Sequence, residues 1–242
     1  MPSPVPSQRQ AAQSQLNPAD KQRLLNQLVH YILKADSKKS TIKRPEIVKN
    51  VLKDHSKLYD PLMSEAAKVL QDVFGISLTE VEGKKGQYIL YNNLKISEEK
   101  SHVHQTVSEY EKQGLLTIIL ALIFMNDNVI AEEVVWRSLE ELGVLNPDDS
   151  HQKDEGFGDV KRLVSVELVR QLYLDRVKVE TSDPPTYEYR WGPRAKLEIT
   201  KSDILAFVCK IYGDMRPEQW TSQYTQIMEE ENRGEPAEVE DE

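Results

Sequence analysis

The sequence predicts an α+β protein, mainly helical, in which two units follow one another along the chain. Two segments indicate this class. From Leu115 to Met125 only Thr117 is polar, which is typical of a helix that is buried on most sides. From Tyr187 to Trp191 aromatic residues alternate with charged ones, which is the period of a strand, and a Gly-Pro pair then ends it.

Three helices are predicted in the first unit. The first begins at Pro18, where Asn17 can serve as the N-cap. The second and the third begin at Arg44 and Asp60, each followed by a proline, and Gly75 stands where the third should end. The apolar residues predicted on their inner faces are Leu24, Leu25, Leu28, Val29, Ile32, Leu33, Ile47, Val48, Val51, Leu52, Leu62, Ala66, Ala67, Val69, Leu70 and Val73.

A short strand at Thr41 and Ile42 and a hairpin complete the first unit. The hairpin strands run from Ile76 to Val81 and from Gln87 to Tyr91, with a Gly- and Lys-rich turn between them. Helix, short strand, helix, helix and hairpin is the order of the winged-helix variant of the helix-turn-helix, with the hairpin as the wing. Residues 17–94 are therefore predicted to form a winged-helix domain.

The same order of elements recurs after a polar stretch at residues 95–113, which is predicted to be a linker. The two halves share no obvious sequence identity, so the repeat is one of pattern. Residues 114–231 are predicted to form a second winged-helix domain with two additional C-terminal helices. Its predicted elements are a helix at Leu115 to Met125, an extended piece at Asn128 to Ile130, helices at Ala131 to Leu142 and Val164 to Gln171, strands at Leu172 to Glu180 and Thr186 to Trp191, and helices at Leu197 to Tyr212 and at Pro217 to about Glu231.

Charge is unevenly distributed along the 242 residues, whose formal net charge is −9. From Met228 to Glu242 there are eight acids and one base, whereas from Lys34 to Lys57 eight bases outweigh three acids. The negative net charge of the whole chain therefore conceals a basic patch of the kind that binds nucleic acid. Residues 1–16, rich in Pro, Ser and Gln, and the acidic residues 232–242 are predicted to be disordered tails.

The sequence offers little that indicates an enzyme. No plausible set of nucleophile, base and orienting group stands out. His102 and His104 form a pair without the further ligands that zinc needs. The single cysteine, Cys209, rules out an internal disulfide and fits a reducing compartment. The apolar run at Leu115 to Met125 is too short for a membrane span, which needs about 18 residues.

Several ordered segments between Leu24 and Arg233 closely resemble the MAGE-homology domain family. Among them are LVHYILKAD, IKRPEIVKNVLKD, GLLTIILALIFM, SDPPTYEYRWGPRA and ITKSDILAFVCKIYG. Domains of this family are tandem winged helices, which agrees with the order of elements described above. By IKRPEIVKN and RVKVETSDPPTYEYRWGPR, the chain is most similar to the family branch that serves in the chromosome-maintenance complex built on Smc proteins five and six.

The resemblance implies a nuclear adaptor that is not an enzyme and needs no cofactor or metal. This branch joins a RING-type ubiquitin ligase subunit to a kleisin subunit and contributes to non-specific DNA binding in DNA repair. Two alternatives remain, a MAGE-type regulator of another RING ubiquitin ligase without an Smc role and a sequence-specific winged-helix transcription factor. Glu65 and Asp72 on the third helix argue against the second, because reading bases favours Asn, Gln or Arg there.

Family resemblance also implies two partner sites. The RING-partner site falls on Ile32 and Leu33, where most members have two leucines. Neighbouring residues lie about 100° apart around a helix, so one could face the core and the other a partner. The kleisin site is implied to be a hydrophobic pocket involving the second winged helix. For both sites ordinary core packing is the alternative. The kleisin candidates are Leu115, Leu116, Ile119, Leu120, Ile123, Leu205 and Val208.

Two basic clusters are predicted to contact DNA. Phosphate contacts need only positive charge on one face, and they give binding that depends on salt and ignores sequence. A solvated charged face is the alternative for each cluster. The first cluster contains Lys38, Lys39, Lys43 and Arg44, and the second contains Lys161, Arg162, Arg170, Arg176, Lys178, Arg190 and Arg194.

Overall fold

A computed structural model describes residues 17–92, 106–145, 157–180, 184–213 and 215–234. The chain divides into two compact units, Met1–Lys95 (unit 1) and Ile96–Glu242 (unit 2). Each unit has helices around a three-stranded antiparallel sheet and follows the order helix, strand, helix, helix, hairpin. The predicted α+β class, mainly helical with winged-helix units, is confirmed.

Unit 1 forms a sheet in which the middle strand is the last one in sequence, in the order β1-β3-β2. Ile42 pairs with Tyr88, and Leu78 pairs with Leu90. The elements are α1 (Pro18–Asp36), β1 (Ile42–Lys43), α2 (Arg44–Ile47), which continues as a π-helical turn (Val48–Leu52), a 3-10 segment (Lys53–Leu58), α3 (Tyr59–Phe74), β2 (Ile76–Glu80) and β3 (Gln87–Asn92).

Local sequence explains the start of α1 and the end of α3 in unit 1. The Asn17 side chain accepts a hydrogen bond from the N–H of Ala19 at the start of α1. Gly75 ends α3 with a left-handed φ of 65°. Val73, predicted to be inside, is 70% exposed. That prediction was wrong because Leu70 is the last buried residue of α3 and the turn after it is exposed throughout.

Unit 2 repeats the arrangement, with the sheet order β4-β6-β5. Ile130 pairs with Tyr189, and Leu174 pairs with Trp191. The elements are α4 (Val107–Met125), β4 (Ile130–Ala131), α5 (Glu132–Glu141), α6 (Val160–Arg162), which continues as a π-helical turn (Leu163–Leu168), β5 (Leu174–Val179), β6 (Thr186–Trp191), α7 (Pro193–Glu198), α8 (Lys201–Ile211), a 3-10 turn (Pro217–Gln219) and α9 (Thr221–Gly234).

The buried helix α4 begins at Val107, well before the predicted start at Leu115. Residues 107–113, assigned to the linker, are therefore helical. The reason is a capping box: the Glu109 carboxylate accepts from the N–H of Thr106 over 2.7 Å, and the Thr106 hydroxyl accepts from the N–H of Glu109 over 3.3 Å. Residues 93–105, which include the rest of the predicted linker, lie outside the described part of the chain.

Two further boundaries in unit 2 differ from the prediction. The third helix begins at Val160, because Asp159 accepts a hydrogen bond from the N–H of Arg162 over 2.9 Å. The single helix predicted from Leu197 to Tyr212 is two helices, α7 and α8. Ile199 between them is extended, and the Thr200 hydroxyl caps α8 by accepting from the N–H of Asp203.

The last helix, α9, continues to Gly234. Residues 232–234, predicted to belong to the acidic tail, are therefore helical, and the remainder of both predicted tails lies outside the described residues. In the core of unit 2, the Trp191 indole N–H donates to the carbonyl of Leu120 over 2.9 Å, which joins β6 to α4. Along the described ranges, no helix has the length and apolar character to cross a bilayer.

Candidate partner and nucleic-acid interfaces

The paired aliphatic motif of α1 has one buried member and one partly exposed member. Ile32 is fully buried in the core of unit 1. Leu33 is half-buried and packs against the outside of that core. Of the two residues predicted for the RING partner, only Leu33 therefore presents surface to another protein.

A groove in unit 1 lies between α1 and the π-helical turn that follows α2. Its volume is ≈ 760 Å³. The Tyr31 hydroxyl accepts a hydrogen bond from the Asn50 side chain over 3.3 Å across it. Arg23, Lys34 and Lys53 line it and form no ion pair with any described residue. The rest of the lining is Asp20, Leu24, Gln27, His30, Val51, Leu52, Asp54 and His55. The groove combines an apolar floor with cations that are available to a partner.

The seven residues predicted for the kleisin lie inside the core of unit 2. Their exposures range from 0% for Ile119, Leu120 and Ile123 to 6% for Leu116. Leu205 and Val208 of α8 belong to the same core cluster. The alternative, core packing, accounts for these side chains, because α4 and α8 contact each other in the middle of the unit and bury their apolar faces there. None of the seven offers a surface without rearrangement.

An open groove of ≈ 640 Å³ lies beside those buried residues in unit 2. Val129, Trp191, Ile199 and Ile227 form its apolar part. Lysines and an arginine line it from β6, α7 and α8, and acids line it from α9. Lys201 reaches across to Glu230, with an Nζ–Oε1 distance of 2.6 Å. The charged lining residues are Arg190, Lys196, Lys201, Glu230 and Glu231.

Four of the cations predicted for DNA are exposed on unit 2. Lys161, Arg162 and Arg170 lie on the third helix, and Lys178 lies on β5. Arg162 approaches Glu167 at 3.8 Å, but its side chain remains 71% exposed, and such exposed pairs stabilise by less than about 1 kcal/mol. Arg190 of β6 is half-exposed and lies 3.5 Å from Glu188. The third helix and the wing thus carry accessible positive charge.

Arg194, also predicted to contact DNA, is completely buried. Its Nε donates to the carbonyl of Gln171 over 2.9 Å, and its Nη1 lies 3.2 Å from Glu198 Oε1. The Tyr173 hydroxyl donates to the other oxygen of Glu198 over 2.5 Å. The prediction was wrong because a guanidinium at the start of α7 points into the unit and joins the helix to the residues before β5.

Glu132 and Tyr187 hold the Arg176 side chain within the protein. Its Nε and Nη2 donate to the two carboxylate oxygens of Glu132 over 3.0 and 2.7 Å, and its guanidinium lies 3.5 Å from the ring centre of Tyr187. The Tyr189 hydroxyl donates to Glu132 Oε1 over 2.9 Å. Burial and this hydrogen bond raise the pKa of Tyr189, and the hydrogen bonds to Glu132 raise the pKa of Arg176.

The basic cluster of unit 1 is spread over a turn and a short strand. Lys38 and Lys43 are exposed. Lys39 lies 3.7 Å from Asp36, and Arg44 lies 3.7 Å from Asp60 while its guanidinium stacks 4.2 Å above the Tyr59 ring. Burial raises the pKa of Tyr59. Only two of the four predicted cations are thus accessible and without a carboxylate nearby among the residues described.

Sequence reasoning missed Glu132 and the groove residues Ile199, Lys196 and Glu231. Glu132 follows a two-residue strand in the sequence, and nothing there signals an arginine partner in the wing. The aromatic alternation did predict the strand that carries Tyr189. Cys209 is buried, whereas His102 and His104 lie outside the described ranges. Within those ranges no group of His, Cys, Asp or Glu side chains is placed to hold a metal ion.

Comparison with known proteins identifies similar chains. The MAGE homology domain model matches residues 28–202. The chain is 38% identical over 239 residues to the human non-structural maintenance of chromosomes element 3 homolog, which is 97% of this chain and 77% of that protein. The mouse protein of the same name is 41% identical over 212 residues, 87% of this chain and 74% of that protein.

Two other similarities have different coverage. Human melanoma-associated antigen D2 is 38% identical over 204 residues, which is 84% of this chain but only 32% of that protein. A chain in the solved structure of an Nse1-Nse3-Nse4 complex aligns with a TM-score of 0.80 and 37% identity, over 88% of this chain and 100% of that chain. The alignment with the complex therefore involves the whole of the solved chain.

Proposed function

Because the chain belongs to the MAGE homology domain family, we propose that it is a non-catalytic adaptor subunit of the Smc five-six complex. It binds a RING-type ubiquitin ligase subunit and a kleisin subunit, and it acts in the nucleus in DNA repair and genome maintenance. The observation that carries this proposal is the similarity to a full chain of an Nse1-Nse3-Nse4 complex at 37% identity. Ubiquitin transfer is the work of the RING partner, and this chain docks and orients it.

Each unit has an accessible surface for one partner. In unit 1 the half-buried Leu33 and the groove beside α1 are open to the RING subunit. In unit 2 the groove bounded by α7, α8 and α9 is open to the kleisin, whereas the seven apolar residues first predicted are core. Bases on one side of this groove and Glu230 and Glu231 on the other favour an amphipathic helix with oppositely charged flanks.

Non-specific DNA contact is proposed for the third helix and the wing of unit 2. Its support is the exposure of Lys161, Arg162, Arg170 and Lys178. Such contacts follow the phosphate backbone, so a random duplex and a mismatched duplex should bind equally. Binding of the full chain is measured over a range of salt concentrations. Lys161→Gln and Arg170→Gln should each reduce the salt slope by about 0.9, and Lys210→Gln on α8 should leave it unchanged.

The adaptor role is tested by a pull-down of the tagged full chain from native nuclear extract, with nuclease added and proteins identified by mass spectrometry. Recovery of Smc, kleisin and RING subunits together is expected. Lys196→Glu and Glu231→Lys, on opposite sides of the unit 2 groove, should reduce kleisin recovery. The matched variant Lys210→Glu should not. Recovery of neither a kleisin nor a RING protein would contradict the proposal.

A second candidate is regulation of a different RING ligase without an Smc role. The observation in its favour is the 38% identity to human melanoma-associated antigen D2, a family member with a different name and a longer chain. The same pull-down separates the two candidates. Recovery of a lone RING ligase, without kleisin or Smc subunits, would favour this second function.

A further inference from the structure

The wing of unit 2 is fastened to the beginning of α5 by three side chains, here called the Glu132 clamp (Glu132, Arg176 and Tyr189). Arg176 on β5 and Tyr189 on β6 are paired residues in the hairpin register. Both reach the carboxylate of Glu132, the first residue of α5. One carboxylate therefore receives two hydrogen bonds from β5 and one from β6.

The clamp has the geometry of a strong interaction. Two parallel N–H···O hydrogen bonds between a guanidinium and a carboxylate are directional and charge-assisted. Glu132 is 14% exposed and Arg176 is 28% exposed at the side chain, so water screens this pair less than it screens the pairs of the outer surface. Tyr187 covers one face of the guanidinium at 3.5 Å, which further restricts its movement.

The Arg176–Glu132 pair of the clamp carries no net charge, whereas the nearby Lys178 carries an exposed positive charge. Lys178 lies two residues beyond Arg176 along the same strand. A phosphate at Arg176 would have to compete with Glu132, which engages Nε and Nη2, and with the Tyr187 ring, which covers one face of the guanidinium. Lys178 has no such competitor, because it forms no ion pair with any residue in the described ranges.

We propose that Arg176 is a positioning residue, which holds the wing against α5 and thereby orients Lys178 toward DNA, and that it does not itself contact phosphate. This inference rests on the DNA binding proposed above. It reassigns a residue first predicted to contact DNA and adds Glu132 to the residues on which binding depends. The planar guanidinium of Arg176, with its two parallel N–H donors, is the essential feature, because a lysine has the same charge but cannot form two parallel hydrogen bonds.

The test measures binding of the full chain to a random-sequence duplex as a function of salt concentration. Glu132→Gln combined with Arg176→Gln removes the clamp without changing net charge. It should weaken binding at fixed salt by about fivefold and lower the salt slope by about 0.9, because the displaced Lys178 loses its phosphate contact. Arg176→Lys should weaken binding similarly, although it keeps the positive charge. Lys178→Gln, the control on the same strand, should lower the slope by about 0.9.

Amide hydrogen exchange provides a readout that does not need DNA. Exchange at residues 174–179 and 186–191 should be faster in both clamp variants and unchanged in Lys178→Gln. Wild-type binding and an unchanged salt slope in Arg176→Lys would show that Arg176 contacts phosphate through its charge and would overturn the inference. Unchanged exchange would overturn the clamp itself.

Failure of the proposed DNA binding has a different signature. In that case the wild-type chain would not bind the duplex at low salt. Faster exchange in the clamp variants would then show that the clamp stabilises the fold alone. The positioning role in DNA binding would be overturned, but the interaction of Glu132 with Arg176 and Tyr189 would stand.

Discussion

The carbonyl oxygen of Leu172 lies only 2.2 Å from the position that a Cβ atom on Gly192 would occupy. The N–H of Gly192 donates to the carbonyl of Tyr173 over 2.9 Å at the same junction. Leu172 itself has a left-handed φ of 65°, a conformation that is uncommon for a residue with a side chain. The end of the wing is thus packed backbone against backbone where it meets the residues before β5.

Replacing Gly192 by alanine should destabilise unit 2. The added methyl group overlaps backbone atoms, which cannot move away as a flexible side chain would, and we expect a loss of about 3 kcal/mol. All three tryptophans, Trp136, Trp191 and Trp220, lie in unit 2, so tryptophan fluorescence during urea unfolding reports on that unit. In Gly114→Ala the new methyl meets nothing within 4 Å, and this control should gain about 0.5–1 kcal/mol.

Removal of the buried guanidinium of Arg194 should also destabilise unit 2 strongly. Arg194→Met leaves the Glu198 carboxylate without its buried cation, and such losses cost about 3–5 kcal/mol. Arg190→Met removes a half-exposed arginine from the neighbouring strand and should change stability by less than about 1 kcal/mol. Tryptophan fluorescence in urea again measures both. Equal stability of the two variants would contradict the assignment of Arg194 to the interior.

The start of α4 should be sensitive to acid. Hydrogen bonds from the N–H and then from the hydroxyl of Thr106 lower the pKa of Glu109 below its ordinary value of 4.5. A carboxylate with a lowered folded-state pKa stabilises the fold above its unfolded pKa, and this contribution is lost as the pH falls through the folded value. Amide exchange near Thr106 should therefore increase, relative to the rest of α4, as the solution is acidified below pH ~4.5.

Glu109→Gln is the matched control, because glutamine also closes a capping box but does not titrate. Exchange at the start of α4 in this variant should lose the acid-dependent component. Thr106→Ala removes the cap itself and should weaken the helix start by about 1 kcal/mol at every pH. An identical acid response in wild type and Glu109→Gln would assign the effect to other carboxylates.

Ile32 and Leu33 should respond differently to substitution by alanine. Ile32→Ala opens a cavity in the core of unit 1 and should cost about 2–5 kcal/mol of stability. Leu33 is only partly buried, so Leu33→Ala should largely preserve folding and reduce recovery of the RING subunit in the pull-down. Hydrogen exchange of unit 1 measures the first effect. Undiminished RING recovery with Leu33→Ala would remove this residue from the proposed interface.

Local signals in the sequence were sufficient for most elements of the fold. Asn17 and Gly75 mark a helix start and a helix end, and alternation predicted β6 with its observed bounds. Boundaries were wrong where a cap was overlooked, at Thr106, Asp159 and Thr200. Each of these caps consists of a side chain and an N–H three residues later, and it can be recognised in a sequence once the helix beyond it is known.

What the sequence alone determined is therefore the class, the order of elements and the family resemblance, because these depend on periodicity and on neighbouring residues. Only the tertiary structure decided which individual charged and apolar side chains are buried and which are exposed. Lys161 and Arg194 are both cations next to apolar residues in the sequence, yet one is exposed and the other completely buried. The difference arises from partners distant along the chain, such as Gln171 for Arg194 and Glu132 for Arg176, which no local pattern can specify.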